Sequence, residues 1–317
     1  MTDPTDESAV LIDGPWKHRT VSAAGTRFHI AEAGDGPLVL LLHGFPQFWW
    51  TWHGQLTSLA EAGYRAVAAD LRGIGASDKP PRGYDLITAA SDAAGLVRAL
   101  GAADAAVVGH GTGGLIAWTM AGYFPWVMRR LAVVSAPHPV RLRRAVLTSP
   151  AQAWAARGLL AHQAPMAPER MLAADGAARV GALLRSWSGP GWPDPETERH
   201  CRAAFGVPGA AHCSLEYHRW LFRSQARPDG HRYMRRMRAP IGVPVLQVHG
   251  ERDPFLLPRA ARGSGRHVDA PYRWRLVRGA GHFPHQERPE AFDAALLGWL
   301  GDAEPDDWGP ERTGQNR

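Results

Sequence analysis

Four loops in this sequence carry residue types that, brought together, could perform hydrolysis. The run Val107-Val108-Gly109-His110-Gly111-Thr112-Gly113-Gly114 lies between an apolar stretch and a helical pattern. Small residues around a central position at such a junction permit a sharp turn whose apex projects over a sheet, the usual seat of a nucleophile. The apex here is Gly111, which has no atom for covalent attack. Gly250-Glu251-Arg252-Asp253 sets Asp253 where an orienting acid belongs, and Gly279-Ala280-Gly281-His282-Phe283-Pro284 sets His282 where a general base belongs. The order apex, acid, base suits a hydrolytic triad built on strand ends. In His43-Gly44-Phe45-Pro46, a glycine turn after an apolar run, the backbone N–H of Phe45 is a candidate oxyanion donor, and the N–H of Thr112 is the second. The Thr112 hydroxyl points away from the apex direction, and His110 is expected to pack beneath the turn. Asp70 to Pro80 forms another glycine-rich turn, without the lysine and Ser/Thr pattern of a phosphate-binding loop.

The elements that must position these loops are legible in the hydrophobic pattern. Leu38 to Leu42, Tyr64 to Ala69, Ala105 to Gly109 and Leu131 to Ser135 are short continuous apolar runs ended by turns, as buried parallel strands are. Thr51 to Ala62, Ile87 to Leu100 and Thr112 to Phe124 alternate with them as helices. Arg19 to Ala23 and Thr26 to Ala33, joined through Ala24-Gly25, predict an opening antiparallel hairpin. From Pro137 to about Pro240 the pattern changes to Arg-, Trp- and Ala-bearing helical stretches with no convincing strand. Alternation resumes with strands at Val243 to Val248 and Trp274 to Val277, and helices near Pro258 to His267 and from Pro289 to Leu300. The expected organisation is a core over 18–136 and 240–301, interrupted by a helical cap over 137–239, with a flexible start at 1–17 and a flexible tail at 302–317.

Composition narrows the function classes. A chain of 317 residues with 45% hydrophobic and 21% charged content has enough apolar material for one sizeable core and a smaller lobe. The acidic start lacks the basic patch and apolar run of a secretory signal, and the longest apolar run, Leu38 to Leu42, is too short to span a bilayer. A cytoplasmic protein with no membrane partner is therefore expected. The net charge of +6 is carried mostly by arginine. The clusters Arg141, Arg143, Arg144 and Arg235, Arg236, Arg238 come without a nucleic-acid-binding motif and read as solvated surface. Cys201 and Cys213, the only cysteines, each follow a histidine but lack metal-ligand spacing, so free buried thiols are expected, with neither metal nor cofactor.

The segments His43 to Trp52, Asp70 to Pro80, Val107 to Gly114, Val243 to Asp253 and Gly279 to Phe283 together resemble epoxide hydrolases of the α/β-hydrolase superfamily, over about residues 18 to 301. The resemblance implies a mostly parallel sheet with helices on both faces and an inserted cap. It also implies attack on the epoxide by an aspartate at the apex, ester hydrolysis by water under a His–Asp pair, and two cap tyrosines that protonate the epoxide oxygen. The family's Gly-His-Asp-Trp-Gly-Gly is Gly109-His110-Gly111-Thr112-Gly113-Gly114 here, so the carboxylate is absent. The cap motif Leu-Asn-Trp-Tyr-Arg corresponds to Leu215-Glu216-Tyr217-His218-Arg219, with His218 at the tyrosine's place and Tyr217 as a neighbouring substitute. The stretch from Arg157 to Gln163, where the other tyrosine falls, contains none.

Three readings follow. One is hydrolysis of a small apolar epoxide or ester by water activated at His282 and Asp253, with no covalent intermediate. The second is a catalytically silent ligand-binding protein, and the third a lyase or cyclase using His282 as base. In each, a small apolar molecule lies between sheet and cap, with Trp49, Tyr217 and His218 as candidate contacts; Trp50 and Trp52 suit core packing at least as well. A homodimer is left open.

Overall fold

The computed structural model describes residues 6–301; the expected tail at 302–317 and the first five residues of the expected flexible start lie outside the described residues. Its centre is an eight-stranded sheet in the order β1-β2-β4-β3-β5-β6-β7-β8. The strands are β1 Lys17–Ala23, β2 Thr26–Ala33, β3 Leu38–Leu42, β4 Arg65–Ala69, β5 Ala105–His110, β6 Met128–Val134, β7 Val245–Gly250 and β8 Tyr272–Val277. β2 runs antiparallel to β1 and β4, and every other pairing is parallel. β3, β5 and β7 are buried at every position, as strands covered on both faces must be. Helices α1 His53–Glu61 and α13 Pro289–Leu300 touch each other in one layer; α2 Leu86–Ala99 and α3 Gly111–Tyr123 pack together in the other.

Parallel pairing gathers the chemistry-bearing loops. β3, β5, β7 and β8 all end at the same edge of the sheet, so the turns after Leu42, His110, Gly250 and Val277 emerge side by side. β6 pairs directly with β7, Leu131 against Val245, so the chain between them leaves the sheet edge and returns to it. That insertion is wholly helical: α4 Pro139–Thr148, α5 Pro150–Ala155, α6 Gly158–Ala161, α7 Ala167–Trp187, α8 Pro195–Gly206, α9 Ala210–Arg223 and α10 Pro228–Arg236. α7 is broken at Ala174–Ala177, where Asp175, Gly176 and Ala177 take left-handed φ of +53°, +62° and +57°. Arg202 donates to the carbonyls of Asp175 and Gly176 freed by the break.

Several expectations are corrected. Within the expected flexible start, most of residues 6–16 are exposed, but a 3₁₀ turn at Glu7–Val10 buries Val10, whose carbonyl accepts the indole N–H of Trp49 at 2.8 Å. The predicted helix over Pro258 to His267 is two short pieces, α11 Pro258–Ala261 and a 3₁₀ turn at Ser264–His267, separated at Arg262-Gly263. β6 starts at Met128, three residues before the predicted Leu131, because its exposed Arg129 and half-buried Arg130 conceal the start of a buried strand. α12, Pro284–Glu287, is a single turn ahead of α13. No helix among the described residues is long and apolar enough to cross a membrane.

Candidate active site

Gly111 begins α3 directly after β5 with φ +52°, the left-handed conformation a sharp strand-to-helix turn demands and L-residues resist. The tightness is structural: a Cβ on Gly113 would collide with the carbonyls of Leu42 and His43, and Gly113 N–H donates to His43 O at 3.1 Å. At Gly111 there is room. An ideal Cβ there would lie 3.6 Å from Gly44 Cα and 3.7 Å from His282 Nε2.

His282 is 1% exposed, and its Nδ1 lies 2.7 Å from Asp253 Oδ2. With Asp253 ionised, Nδ1–H donates, and the lone pair of Nε2 is left facing the space over Gly111. Asp253 is fully enclosed; its Oδ1 accepts the backbone N–H groups of Phe255 and Leu256 at 2.9 Å each. His249 Nε2 stands 3.3 Å from Oδ2 and 2.6 Å from Leu256 O. Burial pushes the Asp253 carboxyl up, but the facing His282 and His249 together hold it well below the usual carboxylate range.

Two contacts invisible in the sequence fix the base. His110, buried beneath the turn, donates from Nε2 to His282 O at 2.9 Å, joining the Gly111 turn to the loop of the base. Burial, reinforced by His285 and His282, pushes its pKa far down, so the ring is neutral at pH 7. Glu287 closes the same loop: Oε2 accepts Gly281 N–H and Gly189 N–H at 2.7 Å each, and Oε1 accepts Phe283 N–H at 2.9 Å. Nothing in the run after His282 marks Glu287 for this task, because its partners are backbone groups.

The space over Gly111 belongs to a cavity of ≈ 230 Å³, mostly apolar, whose walls include Phe45, Thr112, His218, Tyr233 and His282. Thr112 is the second residue of α3, where a backbone N–H has no partner inside the helix. Trp187 and Phe255, stacked at 4.2 Å and 10°, flank His282 and divide this cavity from a larger groove of ≈ 1040 Å³ that contains neither His282 nor Gly111. The groove therefore holds none of the candidate chemistry.

Two of the three expected ligand contacts point elsewhere. Trp49 is fully buried among Trp16, His18, His29 and Phe48 and does not reach the cavity. Tyr217 turns toward the sheet, donating to Arg72 O at 3.1 Å under the buried Arg72–Asp92 ion pair. His218 does line the cavity, against Phe45 at 4.8 Å. Its Nδ1 meets Nδ1 of His162 at 3.0 Å, one ring donating to the other. Burial lowers both imidazoles, His162 to about 4 and His218 well below its ordinary value, so the pair is neutral. Tyr233, absent from the expectations, lines the cavity from α10, its hydroxyl 2.9 Å from Thr119 Oγ1. Cys201 and Cys213 are buried and unbridged, and among the described residues no group of His, Cys, Asp and Glu could hold a metal ion.

The chain is similar to known proteins in sequence and in fold. The family model for the alpha/beta hydrolase fold matches residues 37–289. The chain is 33% identical over 287 residues to epoxide hydrolase 3 of Xenopus tropicalis, covering 87% of this chain and 75% of that protein. It is 31% identical to the AB hydrolase superfamily protein YfhM of Bacillus subtilis, covering 90% and 98%. Among solved structures, epoxide hydrolase A from Mycobacterium thermoresistibile superposes with a TM-score of 0.76 at 27% identity, covering 91% of this chain and 99% of that one.

Proposed function

Because the chain belongs to the α/β-hydrolase family and is epoxide hydrolase-like within it, we propose that it hydrolyses a small apolar epoxide or ester without bonding to it. In this reading the attacking water occupies the space over Gly111 and gives a proton to Nε2 of His282. Asp253 holds the ring in the tautomer that leaves Nε2 basic and stabilises the imidazolium as it forms. The water oxygen bonds to substrate carbon while the epoxide C–O bond opens; in an ester, a tetrahedral oxyanion forms facing the N–H groups of Phe45 and Thr112. The proton held by His282 then passes to the departing oxygen. Neither step requires a side chain at residue 111.

The observation that carries this reading is the 2.7 Å contact between His282 and Asp253 combined with an open Cβ position 3.7 Å from Nε2. A single turnover in H₂¹⁸O tests it: all product carries the label in the first turnover, and His282→Ala abolishes product. An unlabelled first turnover, or an unchanged rate in His282→Ala, would refute the water mechanism.

One observation favours a silent ligand-binding protein instead. Tyr217 is turned away, and the hydroxyl of Tyr233 is engaged by Thr119, so the cavity offers no free tyrosine to an opening epoxide. Saturable binding of small apolar ligands, with no hydrolysis of any epoxide or ester in a broad panel, supports that reading. In both, the helical insertion acts as the cap.

A further inference from the structure

The cavity opens on a surface unlike the rest of the molecule. Among the described residues, the large apolar side chains more than half exposed are Leu147, Trp154, Leu160, Met166, Met171 and Phe222, and apart from these only Trp126. Leu147 and Phe222 line the cavity mouth, Trp154 and Met171 line the groove beside it, and Leu159 belongs to both. α4 to α7 and the end of α9 thus present one apolar field. Single exposed leucines are ordinary; a contiguous field is not.

The field is framed in positive charge. Between Pro139 and Met171 the charged residues are Arg141, Arg143, Arg144, Arg157, Arg170 and Glu169. The one acid, Glu169, is already taken up by Arg219 at 2.7 Å. Arg144, Arg157 and Arg170 are exposed, and Arg157 lies 4.1 Å over the ring of Trp154.

We propose that this face docks on an anionic lipid surface. The apolar side chains enter the boundary between headgroups and acyl chains, and the arginines meet the lipid phosphates. The cavity mouth then faces the phase that concentrates apolar molecules. This reverses the expectation of no membrane partner: a span or a signal is legible along a sequence, whereas this surface is assembled from five helices. A second copy of the chain is a poorer occupant, since a two-fold contact sets the same arginines against one another. An acidic protein would satisfy the arginines but supplies no reason for an apolar cavity to open within the contact.

Sedimentation of the full chain with vesicles tests this, and reads binding independently of any reaction in the cavity. The chain should pellet with vesicles of equal phosphatidylcholine and phosphatidylglycerol, weakly with phosphatidylcholine alone, and less as salt rises. Leu147→Glu with Trp154→Glu should abolish pelleting. Arg144→Glu with Arg170→Glu should weaken it by roughly tenfold or more. Trp126→Glu, at the start of β6 and so at the far edge of the sheet, should change nothing. No pelleting by the wild type, equal pelleting on both lipids, or undiminished pelleting by both double variants would overturn the proposal. So would a concentration-dependent dimer that Leu147→Glu with Trp154→Glu dissolves, which would assign the face to a second copy.

Discussion

A Cβ on Gly111 would stand 3.7 Å from Nε2 of His282. The base is therefore aimed at a place where this chain has no side chain, and the distance is ordinary van der Waals contact.

Gly111→Asp should accordingly fit. Its cost is conformational: φ of +52° is left-handed, worth roughly 1–2 kcal/mol against an L-residue, so the melting temperature should fall by a few degrees. If the cavity accepts epoxides, the variant gains covalent turnover, and Gly111→Asp with His282→Gln accumulates an adduct equal in mass to protein plus substrate. Mass spectrometry reads it. No adduct and no turnover across a panel of epoxides would remove epoxides as the substrate class.

Asp253→Asn should lower the rate by roughly 10²–10⁴-fold, as loss of a working general base does. The carboxylate accepts from Phe255, Leu256 and His282, and an amide nitrogen facing any of these donors is repelled. Single-turnover rates and a thermal melt separate the catalytic loss from unfolding; an unchanged rate would exclude the pair from the reaction.

Glu287→Gln should displace the loop of the base. Three backbone N–H groups converge on this carboxylate, and an amide can accept on one side only, leaving a buried donor unmet at about 1–3 kcal/mol. The expected signature is a lower kcat with KM nearly unchanged and a lower melting temperature. If only stability moves, Glu287 does not position His282.

Adjacent residues on α9 should behave oppositely. Tyr217→Phe removes one hydrogen bond to Arg72 O, costing about 1 kcal/mol of stability, and should leave ligand affinity intact. His218→Ala should change affinity, because that ring lines the cavity. Calorimetric titration of both with one apolar ligand decides it, and the reverse result would reassign the cavity wall.

Stability should fall as pH drops below about 6.5. Burial lowers His138 to about 3 and His162 to about 4 in the folded chain, whereas the unfolded chain protonates them near 6.5. Below that pH the unfolded state binds more protons, so stability is full above it and declines as pH falls toward the folded values, by at most about 1.4 kcal/mol per pH unit for each histidine. Urea midpoints at pH 7.5, 6 and 5 should descend in that order; a flat series would contradict the burial.

The residues of the sequence were enough to establish the sheet, the loops after its strands, the absence of a side chain at Gly111 and the pairing of Asp253 with His282. Those features depend on local periodicity and on chain order, and parallel strands carry every such loop to one edge. Which side chains face the cavity was settled by packing. Tyr217 and His218 are neighbours on one helix, about 100° apart around its axis, so the way α9 docks decides that the histidine looks in and the tyrosine looks toward Arg72. Trp49 was drawn into the core by Val10, a contact across 39 residues that no motif records. Glu287 and His110 act through backbone groups and His162 through His218, and the exposed apolar field comes from five helices. Such roles belong to distances in space, and spacing along the chain does not encode them.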